Sequence, residues 1–254
     1  MIYCLKWWLQ FEIAKNKNRC ATSSFRSYSF FPAANRTTCQ NNMPEQITQQ
    51  ANLSKSLKSN AIRPTQMRIY LRAFKEEGGL EVWAANDGEA FKLIQSYAFC
   101  VNSGTLGPKR KEGDLQIPEG CYHIDRFNPK SKFHLSLGIN YPNAADLVHA
   151  DPSQPGSNIF IHGGCASIGC ISITDPKIEE VYGLCEQAKS NGQTQIPVHI
   201  FPFRMTNENV NDHLACEEFE QQEVLWKELT SVYQAFEPNS KVPVVRIIDG
   251  SYML

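Results

Sequence analysis

Apolar and polar residues alternate through Arg68-Ile69-Tyr70-Leu71-Arg72-Ala73-Phe74, which predicts a half-buried β-strand beginning near Met67. Glu76-Glu77-Gly78-Gly79 has turn composition and Leu80-Glu81-Val82-Trp83 reads as the return strand, so the pair predicts a hairpin. Residues 91–101 give a longer third strand, and further strands are expected around 122–125, 133–139, 158–161, 198–201 and 244–248. Residues 103–120 are rich in Gly, Pro and charge and form a long loop, of the kind that often lines an active site. The period changes after Asp175, an N-cap residue followed by Pro176. Ile178, Val181, Leu184, Cys185 and Ala188 then fall on one helical face, and Gly192 is the stop signal. A second helix is predicted over 212–236, with Phe219, Leu225, Trp226, Leu229, Tyr233 and Phe236 as its stripe and Glu217, Glu218, Glu220 and Glu223 opposite. Pro238 and Pro243 end it.

The first 66 residues break this regularity. Up to Asn42 there are six Lys or Arg and a single acid, Glu12, with serines at 23, 24, 27 and 29. The apolar run 5–13 is interrupted by Lys6, Gln10 and Glu12, so it is too short and too charged for a membrane span or a secretory core. The balance matches an organelle transit peptide in composition, and a start placed upstream of the true one, at Met43 or Met67, accounts for it as well. Residues 1–66 are therefore expected to be a disordered or loosely attached extension. The rest of the 254-residue chain has an ordinary globular make-up, 42% hydrophobic and 20% charged. A net charge of -1 gives no basic field for nucleic acid, and the Lys109-Arg110-Lys111 cluster is followed at once by Glu112 and Asp114. The nine cysteines show no disulfide-framework spacing, so those in the folded body are expected to be mostly small buried hydrophobes.

The chemistry concentrates in Asn158–Asp175, NIFIHGGCASIGCISITD. A short strand delivers His162 to its end, a glycine-bearing loop follows, and Cys170 opens a second strand-like run. Folding back brings thiol and imidazole together, the minimum apparatus for nucleophilic acyl transfer. A free thiol titrates near pH ~8.5, and a neighbouring imidazole can take its proton to leave a thiolate–imidazolium pair. Gly163 and Gly169 leave backbone N–H groups uncovered for an oxyanion, an effect of about 3 kcal/mol per donor in other enzymes. Ser167 is placed to orient the imidazole or bond substrate. A rival reading is a metal site, with His162, Cys165 and Cys170 as H-x2-C-x4-C and His134, His149 or His199 as a fourth ligand. His123, His134 and His199 lie on predicted strands as structural residues. Arg204, just beyond a strand end, is suited either to a substrate carboxylate or to an ion pair.

His162-Gly163 with Ser167-x-Gly169-Cys170 resembles the L,D-transpeptidase catalytic domain (YkuD-type) family, in its YafK-like branch. Supporting blocks are the run from Ser103 to Lys109, Glu112-Gly113-Asp114, Pro118-Glu119-Gly120, Phe133-His134-Leu135-Ser136-Leu137, Tyr141-Pro142-Asn143-Ala144, and the run from Phe201 to Thr206. They span about residues 67–250. The resemblance implies a mainly β, sandwich-like domain with two or more flanking helices, α+β overall, with residues 67–205 as the catalytic-type domain. Residues 206–254 would be a C-terminal helix and strand packed on it. It implies Cys170 as nucleophile, His162 as general base and acid, and Arg204, Lys109 and Tyr141 as substrate-binding residues. The implied substrates are peptidoglycan stem peptides, attacked at a carbonyl of meso-diaminopimelate. An amine acceptor gives a cross-link, and water gives hydrolysis, including release of a wall-linked lipoprotein. No metal or organic cofactor is implied, and the setting is the cell envelope or periplasm, although no signal peptide is readable here. The sequence departs from the wider family at Ile168, where a second histidine is common, at Ser172, where Arg or Asn is common, and in a shorter His-to-Cys loop. A catalytically inert wall-binding module on the same fold is the alternative.

Overall fold

The structure is a computed structural model that describes residues 43–254, with side chains from Ala51 onward. The expectations for residues 1–42 lie outside the described residues. Ordered structure begins well before residue 67: Met43–Ser59 is a helix, α1. Its Leu53 and Leu57 pack against the main core, and the Ser56 hydroxyl donates to the Ile94 carbonyl at 2.7 Å. Leu53, Ser56 and Leu57 stand at helical spacing, a stripe too narrow to raise a hydrophobic signal in so polar a segment.

The hairpin forms as expected, β1 (Met67–Phe74) against β2 (Gly79–Asn86) with Phe74 opposite Gly79. After β3 (Lys92–Ala98) come β4 (Gly120–Ser131), β5 (His134–Ile139) and a short helix, α2 (Ala144–His149). Strands β6 (Phe160–His162) and β7 (Ile171–Ser172) follow, then α3 (Asp175–Ser190) and β8 (Ile196–Phe201). The chain ends with α4 (Asn207–Leu214), α5 (Glu223–Phe236) and a hairpin of β9 (Arg246–Ile248) and β10 (Ser251–Met253). The first eight strands make one mixed sheet in the order β3-β2-β1-β8-β4-β5-β6-β7. Strand β8 enters between the two hairpins, parallel to β1 and antiparallel to β4. This α+β architecture agrees with the expected class.

The central strands are covered on both faces. Ile69, Leu71, Ala73, Val198 and Ile200 enter one core, where α3 seats its whole stripe of Ile178, Val181, Leu184, Cys185 and Ala188. Phe74 and Phe201 enter a second core with Phe203, Met205, Trp226, Leu229 and Tyr233, which holds α5 against the sheet. The single helix predicted over 212–236 is instead two helices joined by a 3-10 segment, Glu217–Gln222. Glu217 and Glu220 stand three apart there, and like charges at that spacing destabilise an α-helical turn. The long loop 99–119 is pinned between the cores by a buried cluster. Lys75 Nζ donates to Glu119 Oε1 at 2.9 Å and to the carbonyls of Gly107 and Ile117, and Trp226 Nε1 donates to Glu119 Oε2 at 2.9 Å.

The two ends of the sheet meet. Just past β3, Val101 forms an antiparallel bridge with Ser172 of β7, and the Cys100 N–H donates to the Ser172 carbonyl at 2.7 Å. Pairing there covers edges that would otherwise stay open. A disulfide fastens the same point, Cys100 to Cys165, with 5.3 Å between Cα atoms. The cysteine expectation is thus corrected: Cys100, Cys165 and Cys216 are in disulfides, while Cys121, Cys170 and Cys185 are free. Cys100 and Cys165 are 65 residues apart and are brought together only by closure of the sheet, so spacing gave no warning. Replacing both by serine is expected to remove about 2–4 kcal/mol of stability. That is a fall of roughly 5–15 °C in Tm for a domain of this size. An unchanged melting curve would show that the bridge contributes nothing to the fold.

Candidate active site

Parallel pairing sets Ile161 opposite Ile171 and His162 opposite Ser172. Side chains alternate across a sheet, and Ile161, Ile171 and Ile173 all enter the main core. Phe160, His162, Cys170 and Ser172 therefore project from the other face. Cys170 immediately precedes β7, so it stands beside the strand that carries His162. No hydrogen bond joins them in this resting arrangement. The Cys170 thiol points to the Asn158 carbonyl at 3.7 Å, with the Phe160 N–H also on the sulfur.

The imidazole is held tightly. His162 is 2% exposed, and its Nδ1 lies 2.5 Å from the Gly163 carbonyl. A carbonyl only accepts, so Nδ1 carries the proton and Nε2 is left as the basic atom. The Phe133 ring lies over the imidazole, centroids 4.6 Å apart at 30°. Gly163 is required for space: a Cβ there would sit 2.5 Å from Asp175 Oδ1 and 2.8 Å from the Phe133 carbonyl.

The turn before Cys170 is bound to itself and to the long loop. Ser167 Oγ donates to the Cys170 carbonyl at 2.7 Å and accepts from the Gly169 N–H at 3.2 Å. Gly169 has φ +131°, and a Cβ would lie 3.0 Å from the Gln116 carbonyl, so glycine is needed for both conformation and room. Ile168, in the position of the family's second histidine, is 77% exposed.

Burial sets the charge state of the pair. Burial pushes the Cys170 thiol up, offset in part by the Phe160 N–H and the Lys109 charge. Burial also pulls the His162 imidazole below its ordinary range, offset in part by the Gly163 carbonyl. Both shifts favour the neutral forms, thiol and imidazole, over the thiolate–imidazolium pair expected from the sequence.

Several expected roles fall differently. The Gly163 N–H is used by the Leu135 carbonyl at 3.2 Å, and that of Gly169 by Ser167, so neither donor is free for an oxyanion in this conformation. Ser167 braces the turn that carries Cys170, and it is the Gly163 carbonyl that orients the imidazole. Asp175 is the first residue of α3 and Thr174 its N-cap, which frees the Asp175 carboxylate to accept the Gly164 N–H at 2.7 Å. Lys109 is buried, bonded to Asp114 Oδ1 at 2.7 Å and to the Lys111 carbonyl at 2.9 Å, and it acts on Cys170 through its charge. Tyr141 is buried as a brace, donating to the Pro155 carbonyl at 2.7 Å. Arg204 is committed to Glu81 at 2.7 Å with its guanidinium over the Phe74 ring, beside the second core. It forms the ion pair of its two sequence readings. The metal alternative loses a ligand, because the Cys165 sulfur is bonded to Cys100. His199 is structural: its Nδ1 shares a 2.8 Å hydrogen bond with the Tyr70 hydroxyl, and burial pushes it down to about 3.

Phe133, Asn158 and Gln116 were not singled out by sequence reasoning. Phe133 offered a weak signal, an aromatic at the start of a predicted strand. The other two act through backbone carbonyls, on which side-chain identity is silent.

Residues 69–200 match the family described as YkuD, L,D-transpeptidase catalytic domain. YafK of Escherichia coli strain K12 is 36% identical over 188 residues, 73% of either chain, and YafK of Escherichia coli O157:H7 matches equally. Among solved structures, the helical cell shape determining protein Pgp2 of Campylobacter jejuni is 18% identical, with 80% of this chain and 82% of that one covered and a TM-score of 0.43. Bd1075 of Bdellovibrio bacteriovorus is 23% identical, with 66% and 62% covered and a TM-score of 0.39.

Proposed function

Because this chain belongs to the L,D-transpeptidase catalytic domain family, we propose that it is a cysteine acyltransferase acting on peptidoglycan stem peptides. Cys170 is the nucleophile and His162 the base. Sγ attacks a carbonyl carbon of meso-diaminopimelate while Nε2 of His162 takes the thiol proton. The tetrahedral intermediate collapses to a thioester on Cys170, and the leaving amine takes the proton back from Nε2. An acceptor amine, or water, then attacks the thioester, giving its proton to Nε2, and the thiolate is reprotonated. The Gly163 carbonyl, which holds the imidazole by Nδ1, keeps Nε2 toward this exchange throughout. The Lys109 charge favours the anionic sulfur.

The observation that carries this reading is the β6–β7 register. It puts Cys170 and His162 on one face, and the Gly163 contact leaves Nε2 as the basic atom, which supports these two roles. The family's substrate places the work in the cell envelope, and among the described residues no helix is long and apolar enough to cross a membrane. The test is mass spectrometry of purified sacculi incubated with the protein and then digested to muropeptides. New diaminopimelate-linked cross-links mark an amine acceptor, and loss of peptide or lipoprotein from diaminopimelate marks water. An unaltered muropeptide pattern with protein still bound to sacculi would mark an inert wall-binding module and end the enzymatic reading.

A further inference from the structure

One polar atom of the site has no use in the scheme above. Ser172 is fully buried, and its hydroxyl has no hydrogen-bond partner. Buried hydroxyls are rarely left so, because an unmade bond in a desolvated place is expensive. The position makes it more pointed. Ser172 stands directly opposite His162 in the parallel β6–β7 pair and two residues beyond Cys170, so all three side chains share one face. Its backbone is fully engaged, with the carbonyl accepting from Cys100 and the strand bridged to Val101. The backbone is thus held, and rotation about χ1 is what remains to bring Oγ to a partner.

We infer that Ser172 is a positioning residue whose hydroxyl accepts the charge that appears on His162 during turnover. At rest the ring is neutral, its Nδ1 proton belongs to Gly163, and the Ser172 oxygen has nothing to bind. When the ring takes the Cys170 proton, a cation forms in a place that is 2% exposed. Directly across the strand pair stands the unpartnered Ser172 hydroxyl, which turns its lone pairs to the imidazolium. Other groups near the ring each already hold a partner. The Asp175 carboxylate holds the Gly164 N–H, the Phe133 ring covers one face, and the neighbouring His134 is paired with Glu179 at the exposed rim. This inference rests on the acyl-transfer reading of the same site.

The experiment compares Ser172→Ala and Ser172→Thr with the parent in three measurements: melting temperature, kcat and KM on stem peptides, and the His162 titration followed by NMR. For Ser172→Ala we expect a Tm at or above the parent's, since an unsatisfied buried hydroxyl is removed. We also expect kcat to fall about tenfold, the value of one hydrogen bond to a charged group, with KM little changed. The His162 titration should move further down, because the protonated ring has lost its acceptor. Ser172→Thr, which keeps the hydroxyl, should restore both the rate and the titration. A Ser172→Ala protein with parental kcat and an unmoved His162 titration would overturn the inference. So would a variant whose loss of rate simply tracks a loss of Tm. The NMR readout needs no turnover, so it separates failure here from failure of the acyl-transfer reading, which Cys170→Ala tests.

Discussion

Cys170→Ala is expected to abolish turnover on peptidoglycan, by at least about 10^4-fold, while leaving the melting temperature close to the parent's. The catalytic part follows from covalent chemistry: with no sulfur there is no thioester, and removal of a nucleophile from such a unit leaves only binding and residual electrostatics. The stability part follows from the surroundings of the thiol. Its side-chain hydrogen bonds are two weak ones, the long contact with the Asn158 carbonyl at 3.7 Å and the Phe160 N–H on the sulfur, and the residue is half-buried rather than packed in a core. Losing a single sulfur there opens no large cavity, so the effect on stability should stay within about 1 kcal/mol. Thermal melting and muropeptide release measured on the same preparation separate the two. A variant that melts normally and still turns over would remove Cys170 from the mechanism.

His162→Gln is the second large effect, a loss of at least about 100-fold in kcat/KM. Glutamine can keep a donor toward the Gly163 carbonyl, so the loss reports the missing base rather than a collapsed loop. The pH profile carries more information than the rate. The base works only when neutral, so activity must fall as pH drops through the His162 pKa. Burial lowers that pKa, which puts the acid limb of the parent below the usual imidazole value of ~6.5. The glutamine variant should lack this limb and be flat across the same range. A parental limb at or above pH ~6.5, or one that survives in the variant, would mean that another group takes the proton.

Local chemistry explains which parts of this molecule were readable in advance. The β1–β2 hairpin is written in alternation and a Gly78-Gly79 turn, and α3 in a helical stripe that the structure buries residue for residue. Thr206 was an equally plain signal that went unread: its hydroxyl caps α4 by accepting the Asn209 N–H at 3.2 Å, six residues before the expected start of that helix at 212. Other features depend on the whole topology. Insertion of β8 between β1 and β4, closure of the sheet at Val101–Ser172, and the disulfide between residues 65 apart involve partners that no window along the chain contains.

The candidate site divides in the same way. Cys170 and His162 announced themselves as side chains with the right chemistry, and the register adds that they share a face. The charge state did not follow from residue types, because burial decides it and burial is a property of the fold. Arg204, Lys109 and Tyr141 illustrate the converse. Each has a side chain suited to substrate, yet Glu81, Asp114 and the Pro155 carbonyl have already claimed them.

The most direct test is to quench the protein during turnover of a stem-peptide substrate, digest it, and weigh the peptide that carries Cys170. The mechanism requires that peptide to gain the mass of the acyl fragment ending at diaminopimelate, in a linkage that hydroxylamine releases. Product formation with Cys170 found only as the free thiol under every quench time, and an adduct on another residue, would contradict it.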